Sequence, residues 1–153
     1  MTINSLPRIL TREGEVTPEG FRSAMRQLPG GVSVVTVGRG TDISGMTVTS
    51  VTSLSAEPPS LIVSINRATS SWPLLERYRA FAVNILDADQ QEIADRFAGR
   101  HGINGAARFD GASWATLVTG TPVLTTSLAV LDCRVEEVIE RHSHAIVIGR
   151  VVA

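Results

Sequence analysis

The chain has 153 residues, 43 % of them hydrophobic and 19 % charged, with a net charge of −1. That length suits one folded domain with a sizeable core, and the composition excludes a disordered tail. The basic residues, all of them Arg, are scattered and exclude a nucleic-acid footprint, the apolar stretches are too short to cross a bilayer, and the polar N-terminus predicts no signal peptide.

Residues 1–16 lack periodicity and are expected to form a loose arm, leaving the domain at 17–153. Thr17 is a good N-cap and Pro18 suits the first helical position; Phe21, Ala24, Met25 and Leu28 then share one helical face, and Pro29-Gly30-Gly31 stops the helix. Strand signals follow at 32–37, with a turn at 38–42 that includes Gly38-Arg39-Gly40; this triplet lacks the third glycine and the following helix of a dinucleotide loop. A Val-, Thr- and Ser-rich strand is expected at 43–55, and an apolar one at 61–66 entered through Pro58-Pro59, which cannot continue a ladder.

Ser70 or Ser71 is expected to cap a short helix at 72–78, followed by a strand at 80–86. A helix at 88–97 opens on the Asp87/Gln90 capping box and stops at Gly99, and 99–113 reads as a Gly-rich loop. From 128 to 139 the pattern alternates, with Ala129, Leu131, Cys133 and Val135 on one side and Asp132, Arg134 and Glu136 on the other; a last strand is expected at 144–152. Strands outnumber helices too far for a regular βαβ alternation, so the pattern predicts an antiparallel barrel or sandwich with attached helices.

The inventory of reactive groups is sparse. The single cysteine, Cys133, excludes an intrachain disulfide, fits a reducing compartment and hence the cytoplasm, and sits within an apolar alternation as an inert thiol would. His142 and His144 share a strand face at i, i+2, but no third ligand is evident nearby and no metal site is expected. No GxSxG motif is present, and no catalytic nucleophile is expected.

The unusual segment runs from Gly45 to Ser55, where six of the eleven residues carry hydroxyls: Thr47, Thr49, Ser50, Thr52, Ser53 and Ser55. On a strand, Thr47 and Thr49 point to one face, Val48 and Ser50 to the other. An inward row of hydroxyls needs hydrogen-bond partners, which a ribityl chain and a phosphate supply; an exposed Thr-rich strand fits the same composition. Asn66-Arg67 ends the next strand, where Arg67 is suited to pair with a phosphate, and the helix start at Ser70-Ser71 favours an anion.

Several collinear pieces now form a pattern: Leu28-Pro29-Gly30-Gly31-Val32-Ser33-Val34-Val35-Thr36, the Gly45 to Ser55 run with Pro58-Pro59, Phe81-Ala82-Val83-Asn84-Ile85-Leu86, Phe97-Ala98-Gly99-Arg100, Arg108-Phe109, Gly120-Thr121-Pro122-Val123-Leu124 and His144-Ala145-Ile146-Val147-Ile148-Gly149-Arg150-Val151. From Phe21 onward the chain thereby resembles the flavin reductase-like, FMN-binding split-barrel family, and Ser71-Trp72-Pro73 looks like the reductase components of aromatic and steroid-ring hydroxylases. The resemblance implies a mainly β fold, an antiparallel Greek-key split barrel with a few peripheral helices, usually a homodimer with flavin at the subunit interface. It implies an NAD(P)H:flavin oxidoreductase, taking hydride from NADH or NADPH to FMN or FAD and supplying reduced flavin to a separate monooxygenase.

By the same resemblance, Thr47, Val48, Thr49, Ser50 and Ser55 would line the flavin's ring and ribityl side. Asn66, Arg67, Ser70 and Ser71 would lie towards its phosphate, Phe97 would sit near the flavin or close its pocket, and His144 would approach the nicotinamide. Two departures fall on the nicotinamide side. Ser143 stands where relatives commonly carry Asp in a Gly-Asp-His sequence, and the sequence given ends at Ala153, where many relatives continue. The alternatives are a flavin-binding barrel without reductase activity and a related barrel enzyme that uses deazaflavin or pyridoxine phosphate.

Overall fold

The computed structural model describes residues 16–153; the arm expected at 1–16 lies, apart from Val16, outside them. The chain divides at Gly30 and Gly31 into two compact units. The first contains α1 (Pro18–Met25), where Thr17 Oγ1 accepts from Gly20 N at 3.0 Å and Pro18 takes the first position. The helix ends at Met25, so Leu28 lies in the following turn and not on the helical face expected for it.

The second unit holds every strand. β1 (Ser33–Arg39) and β2 (Asp42–Val48) form a hairpin, β3 (Thr52–Ala56) and β4 (Pro59–Asn66) a second, and β8 (Ala129–Arg141) and β9 (His144–Val151) a third; β5 (Ala80–Ile85) pairs with β1 and β8. They form one antiparallel sheet in the order β2-β1-β5-β8-β9-β4-β3. The edge strands β2 and β3 are consecutive in the chain. The link 49–51 spans at most about 14 Å from Val48 to Thr52, so the two edges must lie close and the sheet curls into a barrel split between them. Val35, Met46, Val63, Phe81, Cys133 and Val147, from six strands, accordingly fall in one buried cluster. α2 (Trp72–Tyr78) adds Trp72 and Leu75 to that core.

A second cluster covers the outer face of β1 and β5. It joins Val34 and Leu86 to Phe97 of α3 (Gln91–Phe97), Phe109 of a 3₁₀ turn (Gly105–Phe109), and Leu124 of the small hairpin β6 (Trp114–Thr116) and β7 (Pro122–Leu124). Asn84 and Thr36 are fully buried on this face. Asn84 Nδ2 donates to Val34 O at 2.9 Å and its Oδ1 accepts from Leu124 N at 2.7 Å, while Thr36 Oγ1 donates to Pro122 O at 2.5 Å. The hairpin is thus tied to the barrel by satisfied buried polar groups.

Several expectations are corrected. The strand expected at 43–55 is two strands on opposite edges, because Ser50 Oγ leaves the ladder to donate to Ser64 O and accept from Ser64 N on β4. Pro59 belongs to β4, as its first residue, where a missing N–H is tolerated. The helix expected from 88 starts at Gln91; Gln90 Oε1 accepts from Asp87 N, but Asp87 Oδ1 accepts from Ala88 N instead of capping the helix. Its end is a Schellman motif: Gly99 N donates to Arg96 O, Arg100 N to Asp95 O, and Gly99 has φ +78°. Asp132, on the strand face opposite Leu131 and Cys133 as expected, is nonetheless fully buried, its carboxylate accepting from Thr119 N and Thr119 Oγ1 beneath the hairpin loop. His142 and His144 do not share a strand face, since His142 sits in the β8–β9 turn at φ +52°.

Candidate functional site

A cleft of about 260 Å³ opens where the end of β2 and the 49–51 link pass the outer face of β4 and β9. Met46, Thr47, Val48, Thr49 and Ser50 form one wall; Ser64, Asn66, Thr69 and His144 form the other. Strand register explains the second wall. Ser64 pairs with Ile146 and Asn66 with His144, so their side chains stand side by side on the face turned away from the core. The first wall exists because the chain leaves the sheet after Val48.

Of the residues proposed from sequence, Thr47, Val48, Thr49, Ser50, Asn66 and His144 come together here. Their hydroxyls are not equally available. Thr47 Oγ1 donates to Ala94 O of α3 at 2.6 Å, and Ser50 Oγ is engaged with Ser64. These two hydroxyls hold the wall in place. Asn66 Oδ1 accepts from Ala68 N at 2.9 Å, shaping the turn into α2 and leaving the amide N–H₂ as the free end. Among the described residues, Thr49 N and Ser50 N donate to no backbone carbonyl. The cleft therefore offers backbone and amide N–H donors beside the apolar Met46 and Val48, and suits a ligand that carries acceptors as well as apolar surface.

The other sequence candidates do not line this cleft. Ser55 lies near the end of β3, paired with Ser60 and bonded to Glu57, and borders a different, more apolar hollow with Val51, Leu61, Ile85 and Leu131. Arg67 forms an ion pair with Glu140 at 2.7 Å and stands over the Trp72 ring. Ser71 is fully buried and makes no capping bond; its hydroxyl meets Ser44 Oγ at 2.9 Å, with Ser70 Oγ 3.3 Å from the same atom. α2 is moreover a poor anion site, because Pro73 lacks an N–H and Trp72 N already donates to Thr69 O. Phe97 is buried in the second cluster, edge-on to Phe109 at 5.1 Å, and not at the cleft. Gly45 serves that packing: a Cβ there would come within 2.8 Å of the Phe97 ring.

Met46, Ser64 and Thr69 line the cleft without having been singled out. Ser64 was accessible through β4, where it alternates with buried Val63 and Ile65; Thr69 carries no sequence signal that separates it from an ordinary turn residue. Arg108 was also missed as a brace. It donates to Ile103 O and, at 2.9 Å, to Gly45 O, tying the 99–110 loop to β2. Among the described residues no group of three or more His, Cys, Asp or Glu is arranged to hold a metal ion. Burial, reinforced by the Asp132 charge, pushes the Cys133 thiol up to about 12.

Residues 25–153 match the model of the flavin reductase like domain. The chain is 37 % identical over 133 residues to the FMN reductase (NADH) RutF 2 of Rhizobium rhizogenes, covering 87 % of this chain and 76 % of that protein. Among solved structures it is similar to the NADH:FAD oxidoreductase SgcE6 of Streptomyces globisporus, with a TM-score of 0.83, 30 % identity and coverage of 97 % of this chain and 87 % of that one. It is likewise similar to BorF, the flavin reductase component of a bacterial two-component tryptophan halogenase, with a TM-score of 0.80, 32 % identity, and coverage of 88 % and 84 %.

Proposed function

Because the chain belongs to the flavin reductase like family, we propose that it is an NADH-dependent flavin reductase whose flavin lies in the cleft between β2, β4 and β9. The observation that carries the location is that Thr49 and Ser50, whose N–H groups donate to no backbone carbonyl among the described residues, line one hollow with Asn66. FMN is the flavin we favour, because RutF 2 is named an FMN reductase, and NADH the donor, because both RutF 2 and SgcE6 are named for it. Reduced flavin would pass to a separate oxygenase, as the two-component setting of BorF suggests.

A flavin held there would supply the hydride-accepting chemistry and a nicotinamide the hydride, so the protein needs no nucleophile of its own. The chain's task is to hold two rings in contact, with reacting atoms about 3–3.5 Å apart, and to exclude water. Thr49 and Ser50 N–H would donate to the polar edge of the ring, where charge develops on reduction. Val48 and Met46 would meet its apolar part. Thr47 acts through its bond to α3, fixing the wall. Arg67 is the nearest candidate for the phosphate, but it would have to exchange Glu140 for it. This exchange is feasible, because the pair is only partly buried and screened by solvent.

Mixing the protein with FMN and following NADH absorbance tests the activity. No flavin-dependent loss of NADH would sink the reductase reading, while quenched flavin fluorescence without turnover would favour a carrier of flavin. His144→Ala is expected to raise the KM for NADH about five-fold, the scale of one neutral hydrogen bond, and to leave the KM for flavin unchanged. Equal rises in both would remove His144 from the nicotinamide side.

A second copy of the chain would complete the site. On the outer face that carries Ser64, Asn66 and His144, Ile62 pairs with Ile148 and Ile146 with Ile139, and Ile146 is 38 % exposed. An apolar stripe beside a polar cleft is what a two-fold contact buries. Ile146→Glu is expected to halve the mass seen by light scattering and to weaken flavin binding; an unchanged mass in a dimeric parent would place the contact elsewhere.

A further inference from the structure

We propose that Ser143 is a positioning residue: its hydroxyl holds the His144 imidazole as the Nε2–H tautomer, so that the ring presents a hydrogen-bond donor to the cleft. The inference rests on the reading of that cleft as the flavin and nicotinamide site. Its geometric basis is the β8–β9 turn. Arg141 pairs with His144, leaving His142 and Ser143 as the two turn residues. The turn is anchored from the loop after β4, since Arg67 N donates to Ser143 O at 2.9 Å and Arg67 Nη1 to His142 O at 3.4 Å. In this setting Ser143 Oγ lies 2.8 Å from His144 Nδ1.

That contact has two possible senses, and the surroundings decide between them. A serine hydroxyl has one hydrogen, and a neutral imidazole has one N–H and one lone pair. Nδ1 is the only protein partner of the Ser143 hydroxyl among the described residues. Donation from Oγ to Nδ1 uses that hydrogen and places the imidazole hydrogen on Nε2. The opposite sense leaves the serine hydrogen without a protein acceptor and turns a bare lone pair into the cleft. Thr49, Ser50 and Asn66 line the same cleft, and the Thr49 and Ser50 N–H groups and the Asn66 amide N–H₂ are donors with no backbone acceptor among the described residues. An Nε2–H joins them in one set complementary to carbonyl oxygens, such as those of a nicotinamide carboxamide or a flavin ring.

A carboxylate at position 143 would do the reverse, because it can only accept and would claim an Nδ1–H. The test is the nitrogen spectrum of the histidine rings in the intact protein, at a pH well above the ordinary imidazole range, with His144 assigned by its loss in H144A. Nδ1 of His144 is expected to be pyridine-type and Nε2 pyrrole-type. S143A should draw the two resonances together, S143T should restore them, and S143D should exchange them. The KM for NADH should rise about five-fold in S143A and recover in S143T, with the flavin KM unchanged. A pyrrole-type Nδ1 in the parent, or resonances indifferent to S143A, would overturn the proposal. Altered resonances with an unchanged NADH KM would leave the tautomer standing and overturn instead the placing of His144 against the nicotinamide.

Discussion

Replacing Asn84 with leucine is expected to lower the free energy of unfolding by about 2–4 kcal/mol, because it strips partners from buried groups while keeping nearly the same volume. Leu124 N–H would lose its acceptor, Val34 O its side-chain donor, and Thr36 one neighbour, all at fully buried positions. The damage should centre on the β6–β7 hairpin, which these bonds tie to the barrel. Urea unfolding should show an earlier midpoint with an unchanged slope. A loss below about 1 kcal/mol would mean that the network relaxes onto water, as exposed hydrogen bonds do. The choice of residue matters chemically: β1, β5 and the hairpin meet at a place where an amide can donate to one neighbour and accept from another.

Gly149→Ala is expected to cost about 1–3 kcal/mol by overpacking. Gly149 faces the barrel core, and a Cβ there would stand 2.7 Å from Phe81 Cε1 and 3.2 Å from Cys133 Cβ. Phe81 is fully buried within the main core cluster. The strain should therefore pass into β9, the strand that begins with His144, and flavin affinity should fall along with the thermal midpoint. Phe81→Leu shortens the obstructing side chain. The double variant should be more stable than the sum of the two single losses predicts, and strict additivity would show that the alanine clashes elsewhere.

Sequence pattern disclosed the strands where they are long and their inner residues alternate, and left barrel and sandwich open. β1, β4, β5, β8 and β9 each carry a run of Val, Ile, Leu or Ala at period two, and each was placed within two residues at either end. Less legible were the features set by contacts distant in sequence. The break at 49–51 depends on Ser50 meeting Ser64, and Thr and Ser favour strands and turns alike. The strands of β6 and β7 have three residues each, too few to show a period. The burial of Asp132 was not legible, because its cover, the Thr119 loop, is invisible to alternation.

The site was legible in part for similar reasons. Thr47 to Ser50, Asn66 and His144, which line the candidate cleft, stand out in the sequence through an excess of hydroxyls and a family likeness. Phe97, Ser71 and Ser55 were not separable from them by residue type. A phenylalanine that closes a pocket and one that fills a core have the same helical spacing, and a serine before Trp-Pro reads as a cap whether or not its hydroxyl has turned to Ser44.

The position of β9 between β8 and β4 governs the order in which the protein can become competent. As the chain emerges during synthesis, the strands made first can form only two separate pieces, β2-β1-β5-β8 and β4-β3. β9 is the seam that joins them, and it also brings His144 beside Asn66. A nascent chain lacking that strand has β2 and also Ser64 and Asn66 of β4, but on pieces the sheet has not yet joined, and His144 is missing. Cofactor capture must then follow the last long-range pairing, so bound flavin would mark barrels that have already closed.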